Sequence, residues 1–307
     1  MRMKRTLIFL MLLLTGVLFA GSPATSGFQF LKMQVGARAA AMGGAFLAVQ
    51  KDVNSLYYNP AGIASFTSKA ASFSYQDDLL DFNSGFVGYV HPDIGPGNVG
   101  ISVLYRDYGS FDRTDVSGQE TGTFGANSIA MAASYGMSPM PNLVVGATAK
   151  YIRGTIDTYS ADAVAADVGA MYSIPEQQLV FALGLFNAGT SFSAFVSDKH
   201  DLPLQFRAGL SKVLAHLPLL IGLNFYKYND EPWYFALGGE FTLTPNFFLR
   251  LGYDSFGRGL QVESSKDTLA GAAIGLGFLW QNITFDYAYS TLGALGSLNR
   301  FSISGSF

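Results

Sequence analysis

From Ala70 to the C-terminus the chain alternates strongly apolar positions with small or polar ones. Val99, Ile101, Val103 and Tyr105 alternate with Gly100, Ser102, Leu104 and Arg106. Phe247, Leu249, Leu251 and Tyr253 alternate with Phe248, Arg250, Gly252 and Asp254. Ile283, Phe285, Tyr287 and Tyr289 alternate with Thr284, Asp286, Ala288 and Ser290. Period two assigns the sets to opposite faces of a strand. Segments of roughly ten residues with one apolar and one small or polar face predict a transmembrane barrel, apolar toward lipid and polar toward the lumen. Tyr105, Tyr151, Tyr172 and Trp233 fall near strand ends, where interfacial girdles sit.

The connections sort into two sizes. Short ones are expected near 92–98, 137–142, 174–177, 214–218, 244–246 and 280–282. Longer, more polar ones are expected near 107–123, 154–160, 188–201, 256–267 and 291–296. Short turns on one side and long loops on the other form the outer-membrane pattern. The expected fold is all-β, a transmembrane antiparallel barrel of about fourteen strands, an even number as single-chain bacterial barrels have. The segments 70–76 and 82–91 carry the weakest strand signal.

The stretch from Phe28 to Ser65 breaks the alternation. It holds a run of small residues from Gly36 to Ala45, then an acidic, helix-opening step from Asp52 to Tyr58, then Asn59-Pro60-Ala61-Gly62. Pro60 biases Asn59 away from helical geometry, and Gly62 can take a positive φ, so the tetrapeptide is a sharp stop. The stretch by itself reads equally as a segment packed inside the barrel or as a soluble helix beside an ordinary β domain. Barrel size favours the first. Eight strands leave a lumen that side chains fill and sixteen or more leave a channel, so about fourteen leave room for a plug. The candidate plug or hatch residues are Gly36, Arg38, Gly43, Gly44, Asp52, Asn54, Asn59, Pro60 and Gly62.

Composition sharpens this picture. Hydrophobic residues make up 49% and charged residues 13%, about half the usual share, so much of the surface faces something other than water. Residues 1–20 carry Arg2, Lys4 and Arg5 and then an apolar run to Ala20, the form of a secretory signal peptide, with cleavage expected after Ala20 and Ala24 as second choice. The expected division is 1–20 signal peptide, 21–68 plug segment and 69–307 outer-membrane barrel. Cysteine is absent, so disulfides and thiolate chemistry are excluded. A net charge of −3 without a basic stripe argues against nucleic acid as a partner.

Alternation places Arg106, Lys150, Asp167, Arg207, Glu240, Arg250, Asp254, Asp286 and Arg300 on the inward face. Buried charges are costly unless paired or hydrated, so they are expected to pair with one another or with Arg38 and Asp52. They serve as either a polar binding or permeation path or a set of interior ion pairs. For any single residue the second is favoured. The final strand alternates, with Phe301, Ile303 and Phe307 on one face, and ends on the aromatic Phe307. That ending resembles the signal read by outer-membrane barrel assembly machinery.

The segment VGARAAAMGGAFLAVQKDVNSLYYNPAGIA resembles the N-terminal signature of the PorV/PorQ family, barrels related in fold to the FadL long-chain fatty acid transporters. FNAG at 186–189, LPLQFRAGLS at 202–211, LGGEF at 237–241 and LRLGYD at 249–254 extend the resemblance more weakly over the mature chain. The FadL side of the resemblance implies an N-terminal hatch and hydrophobic ligands in the lumen. The PorV side implies protein export of the type IX kind, with cargo proteins or secretion components as partners. The expected function is a component of protein export acting through protein contacts. The alternative is a FadL-like transporter of hydrophobic or amphipathic small molecules.

An enzyme is not expected. His91 and His216 fall at short turns and His200 in a long loop on the other side, so they cannot converge on one site. No close set of ligands for a metal is visible, and no cofactor is expected. Asp77, Asp78 and Asp81 read as solvated loop carboxylates. The other partners expected are outer-membrane lipid and the assembly machinery, at the bacterial outer membrane.

Overall fold

The computed structural model describes residues 27–78, 82–197, 199–229, 231–260 and 265–307. The expected signal peptide and its cleavage site lie outside these residues, as does Asp81. Fourteen antiparallel strands form a closed barrel: β1 Ala70–Asp77, β2 Asn83–Ile94, β3 Gly97–Thr114, β4 Glu120–Met140, β5 Leu143–Ile156, β6 Tyr159–Ile174, β7 Leu179–Ser191, β8 Gln205–Val213, β9 Leu219–Tyr228, β10 Trp233–Thr244, β11 Phe247–Asp254, β12 Ala272–Trp280, β13 Ile283–Thr291 and β14 Ser297–Ser306. Each pairs with its sequence neighbours, and β1 closes on β14 with Phe73 opposite Ile303 and Gln76 opposite Arg300. Closure leaves no strand edge, which a backbone in hydrocarbon requires.

The pleat decides which residues meet lipid. Phe73, Val87, Ile101, Leu183, Leu237, Leu276 and Ile303 are exposed on the outer face. Their inward neighbours Ser72, Ser102, Ala182, Ala236 and Ser302 are buried. A barrel wall with an apolar exterior and a small or polar interior belongs in a membrane, and the chain is an outer-membrane protein.

On one side, Gly95-Pro96, Pro141-Asn142, Pro245-Asn246 and Gln281-Asn282 make two-residue turns. Asn142 and Gln281 have φ of 66° and 55°, the left-handed backbone that tight hairpins need. On the other side two expected loops are strand instead. The segment 107–123 continues the β3–β4 hairpin until only 115–119 connects it. Phe111 stacks on Phe124 at 5.5 Å across that hairpin, and Gly109 absorbs a register shift at φ 71°. The segment 154–160 shrinks to a turn at 157–158, with Asp157 at φ 55°. Backbone hydrogen bonds and cross-strand rings outweighed the polar composition that had read as loop. The two weakest strand segments are full strands, paired to each other in register from Ala70–Val90 to Asp77–Asn83.

Residues 27–66 contain only single turns of helix, at Gln29–Lys32, Ala37–Ala41, Ser55–Tyr58 and Pro60–Ser65. They nevertheless form the core. Phe30, Leu31, Phe46, Leu56, Tyr58 and Ile63 are each at most 3% exposed and cluster with the inward residues Phe86, Val90, Leu104 and Ile152. The apolar centre of the molecule is therefore this segment together with the inner wall.

Candidate functional site

Small residues set how closely the segment meets the wall. Ala37 N donates to Ser302 Oγ on β14 at 2.7 Å, and Ala41 packs on Ala288 of β13. Asn224 Nδ2 on β9 donates to Gly44 O at 2.9 Å, and Ser211 Oγ on β8 donates to Ala48 O at 2.8 Å. Leu47 packs on Ala182 and Phe186 of β7. Asn98 Nδ2 on β3 donates to Ile63 O and Phe66 O, both at 2.8 Å. A chain that touches strands from β3 to β14 around the ring lies within the lumen.

The wall supplies glycines where the segment comes nearest. A Cβ at Gly136 on β4 would stand 2.6 Å from Ile63 Cγ1, and one at Gly275 on β12 would stand 2.5 Å from Ala41 Cβ. At Gly100, Gly146, Gly222, Gly238 and Gly252 it would collide with Leu56, Pro60, Ala45, Met42 and Gly43. Nothing in the alternation separates these wall glycines from others on the small face, so sequence reasoning missed their role.

The candidate hatch residues fall into distinct tasks. Gly36, Gly43 and Gly44 have φ of 74°, 63° and 76°, and a Cβ at Gly43 would stand 2.6 Å from Tyr253 N. Gly62 does not use the positive φ open to glycine. Space selects it instead: a Cβ there would stand 2.7 Å from Ser55 Cβ and 3.2 Å from Met171 Cε. Asn59 is extended at φ −166°, as the residue before Pro60 should be, and its Oδ1 accepts from Ala61 N at 3.1 Å. Asn59 Nδ2 donates to Leu47 O at 3.1 Å, which ties the Asn59–Gly62 turn to the middle of the segment. Asp52 Oδ1 accepts from Asn54 N and Nδ2 at 2.8 Å each, and Asn54 packs under Gly36.

The inward charges divide into pairs and exceptions. Glu240 accepts from Arg38 Nε at 2.7 Å and Nη2 at 2.6 Å, and from Arg250 Nε at 2.6 Å. Arg250 Nη1 also donates to Asp286 Oδ1 at 2.6 Å, and Arg38 Nη1 to Asp52 Oδ2 at 3.0 Å. Two guanidiniums and three carboxylates thus join segment and wall through charge-assisted bonds, one of them a bidentate fork. Lys150 Nζ pairs with Asp167 Oδ2 at 2.6 Å and donates to Asn187 Oδ1 at 2.9 Å. Asn187, inside the FNAG piece, has φ 58° and donates its N–H to Asp167 Oδ1 at 2.8 Å, which fixes a bulge between β6 and β7. Arg106 Nη2 meets Asp78 Oδ2 at 2.6 Å, so Asp78 is no solvated loop carboxylate.

Three inward charges depart from the expected pairing. Asp254 accepts from Tyr226 Oη at 2.5 Å and Gln34 Nε2 at 2.9 Å. Arg207 donates to Gln205 Oε1 at 2.6 Å and lies 5.2–5.8 Å from the rings of Phe186, Tyr58 and Tyr226, a cation–π environment. Arg300 donates to Gln76 Oε1 at 2.8 Å and Ser290 Oγ at 3.0 Å. Alternation identifies which residues face inward, but not which tyrosines and amides lie in reach.

Toward the long-loop end, Gly27 N donates to Asp201 O at 2.9 Å, and Lys32 Nζ meets Glu231 at 2.6 Å and lies over the Tyr228 ring. Tyr58 Oη exchanges 3.1 Å bonds with Val35 N and O. Burial lifts that phenol to about 12, partly opposed by the Arg207 charge, so it stays a neutral donor at ordinary pH. The described residues hold no group of acidic or histidine side chains that could bind a metal ion.

Solved structures settle the architecture. The Ralstonia pickettii toluene transporter TbuX superposes with a TM-score of 0.63 at 11% identity over 89% of this chain and 98% of that one. The fold is that of FadL-like outer-membrane barrels. A Pseudomonas aeruginosa FadL homologue gives 0.56 at 13% identity over 87% and 96%, and the Pseudomonas putida toluene transporter TodX gives 0.58 at 11% over 88% and 96%. No protein-family model and no curated protein matches the sequence. Near 11% identity, likeness to these FadL-like barrels extends to architecture and not to individual residues. The neighbours named are transporters and channels, not enzymes.

Proposed function

We propose that this barrel passes small hydrophobic or amphipathic molecules across the outer membrane, with residues 21–68 as its hatch. The observation that supports it is that the described residues 27–66 hold no long helix or strand and meet the inner face of the wall through glycine contacts and ion pairs. Such contacts can be exchanged without breaking the wall, because the wall is held by its own ladders. The route is apolar as well as polar. Phe186, Tyr226, Tyr228 and Tyr234 of the wall, with Phe256 of the connection after β11, pack around the segment. Barrels of like fold are named as toluene transporters and monoaromatic hydrocarbon channels, which supports this substrate class.

The PorV/PorQ resemblance of residues 35–64 supports a second reading, protein export through contacts of the outer loops. The β3–β4 hairpin is the surface that favours it, since it carries the fully exposed Val116. The two readings separate in one experiment. In cells lacking the native gene, uptake of radiolabelled toluene and of a long-chain fatty acid is compared with and without the full-length chain, alongside the surface proteome. Faster uptake with an unchanged surface proteome supports transport. Unchanged uptake with loss of surface proteins in the deletion strain replaces transport with export.

A further inference from the structure

The lipid-facing wall is not evenly covered. A groove of about 490 Å³ opens on it, lined by Ile101 and Val103 of β3, Met131 and Ala133 of β4, and Ala149 and Tyr151 of β5. Register explains the hollow. Ala133 stands opposite Ala149, and Ala149 opposite Ala166 of β6, so three adjacent strands present only a methyl group at one level. The next outward level toward the long loops carries Met131, Tyr151 and Val164, and the level on the other side carries Tyr135 and Val168. Larger side chains thus bank a floor of alanines.

A charge stands at the loop end of this groove. Arg153 is the next outward residue of β5 after Tyr151, about 7 Å further along the strand, and its side chain is 48% exposed. Asp162 faces it across β6 but is committed elsewhere: Oδ1 accepts from Tyr151 Oη at 2.5 Å and Oδ2 from Ser193 Oγ at 3.0 Å. Arg153 Nη1 therefore stays 3.8 Å from Asp162, and Nη2 donates to Ser160 Oγ at 3.2 Å. Tyr105 lies at the same level through Ile129, and Asn127 pairs with Thr155 just above, so aromatic and polar residues mark this height as the membrane interface. The long-loop end faces the cell exterior in barrels of this kind. Hydrocarbon fills an apolar groove inside the bilayer, and a half-exposed guanidinium at its rim matches the planar geometry of a phosphate. We propose that the outer face of β3–β6 binds an anionic, phosphate-bearing lipid of the outer leaflet, with an acyl chain over Ala133 and Ala149 and the phosphate accepting from Arg153.

The test uses the full-length barrel in a nonionic detergent. Native mass spectrometry follows binding as phosphatidylglycerol or phosphatidylcholine with the same acyl chains is added. The wild type should bind phosphatidylglycerol about fivefold more tightly than phosphatidylcholine, the worth of one basic residue near an anionic membrane surface. Arg153→Gln should erase that preference and leave phosphatidylcholine binding unchanged. Ala133→Leu with Ala149→Leu fills the groove from the lipid side, away from the strand ladder, and should weaken the binding of both lipids. Heat modifiability checks that each variant is a folded barrel, and the comparison of the two lipids on the wild type needs no variant. Excess inorganic phosphate should not displace the lipid, because it has no chain for the groove. Equal binding of the two lipids by the wild type, a preference kept in Arg153→Gln, or unchanged binding in the leucine pair overturns the proposal. So does displacement by inorganic phosphate, or a wild-type dimer whose copies cover this face.

Discussion

Arg38→Met removes a side chain that bonds both to Asp52 of the N-terminal segment and to the wall carboxylate Glu240. Methionine keeps the aliphatic bulk, so the change is chiefly electrostatic. Removing one partner of a buried pair costs about 3–5 kcal/mol. Arg38 is 21% exposed over its side chain, and Glu240 keeps Arg250 at 2.6 Å, so the lower end, about 3 kcal/mol, applies. The loss falls on the packing of residues 27–66 against the wall, since the wall cluster of Glu240, Arg250 and Asp286 persists without it. At about 1.4 kcal/mol per tenfold, docking should weaken about a hundredfold. The natural chain contains no cysteine, so Ser55→Cys supplies a unique reporter at a position 1% exposed. The rate of maleimide labelling of folded protein then reads hatch opening. About a hundredfold faster labelling in Arg38→Met, with the heat-modifiable folded band retained, is expected. Rates within threefold of each other would show that the cluster does not hold the hatch.

Other outcomes follow from the wall and its ends. Gly43→Leu with Gly44→Leu drives side chains into the Tyr253 backbone and Gln34, an overpacking of about 1–3 kcal/mol per site, and should leave the barrel inserted while raising the same labelling rate. A tag placed within 116–121 should label intact cells, because 115–119 joins the long β3–β4 hairpin on the side opposite the short turns; labelling only after permeabilisation reverses the orientation. Phe307 closes the seam, with its N–H on Lys69 O at 2.8 Å and its ring stacked on Tyr89 at 6.4 Å. Phe307→Ser should therefore slow insertion in a reconstituted assembly assay, and unchanged folding kinetics would remove it as a recognition element.

The wall was legible because its physics is local. Alternation such as Val99 to Arg106 reports directly which side faces lipid, and it placed Arg250, Glu240 and Asp286 inward. The extent of the hairpins was not legible: Phe111 and Phe124 meet only once β3 and β4 are in register, and the polar residues around them mimic a loop. The small-residue run in 36–45 signalled close approach, yet its partners are the distant wall glycines Gly222, Gly238, Gly252 and Gly275. Partner choice for the charges depends on three-dimensional placement. Arg207 faces tyrosine and phenylalanine rings and Arg300 faces an amide and serines, distinctions that no spacing encodes. Gly62 shows the same limit, with steric room as its reason and not backbone sign.

The central claim is that the segment inside the lumen is a hatch and not part of the wall. Deleting 34–62 removes Arg38 and every contact from Gly36 to Gly62 but none of the residues of the fourteen-strand ladder. The decisive measurement is single-channel conductance of the deletion and the wild type in planar bilayers. A closed wild type beside a conducting deletion is the predicted result. Equal conductance of the two, or a deletion that never inserts, would contradict the division between hatch and wall.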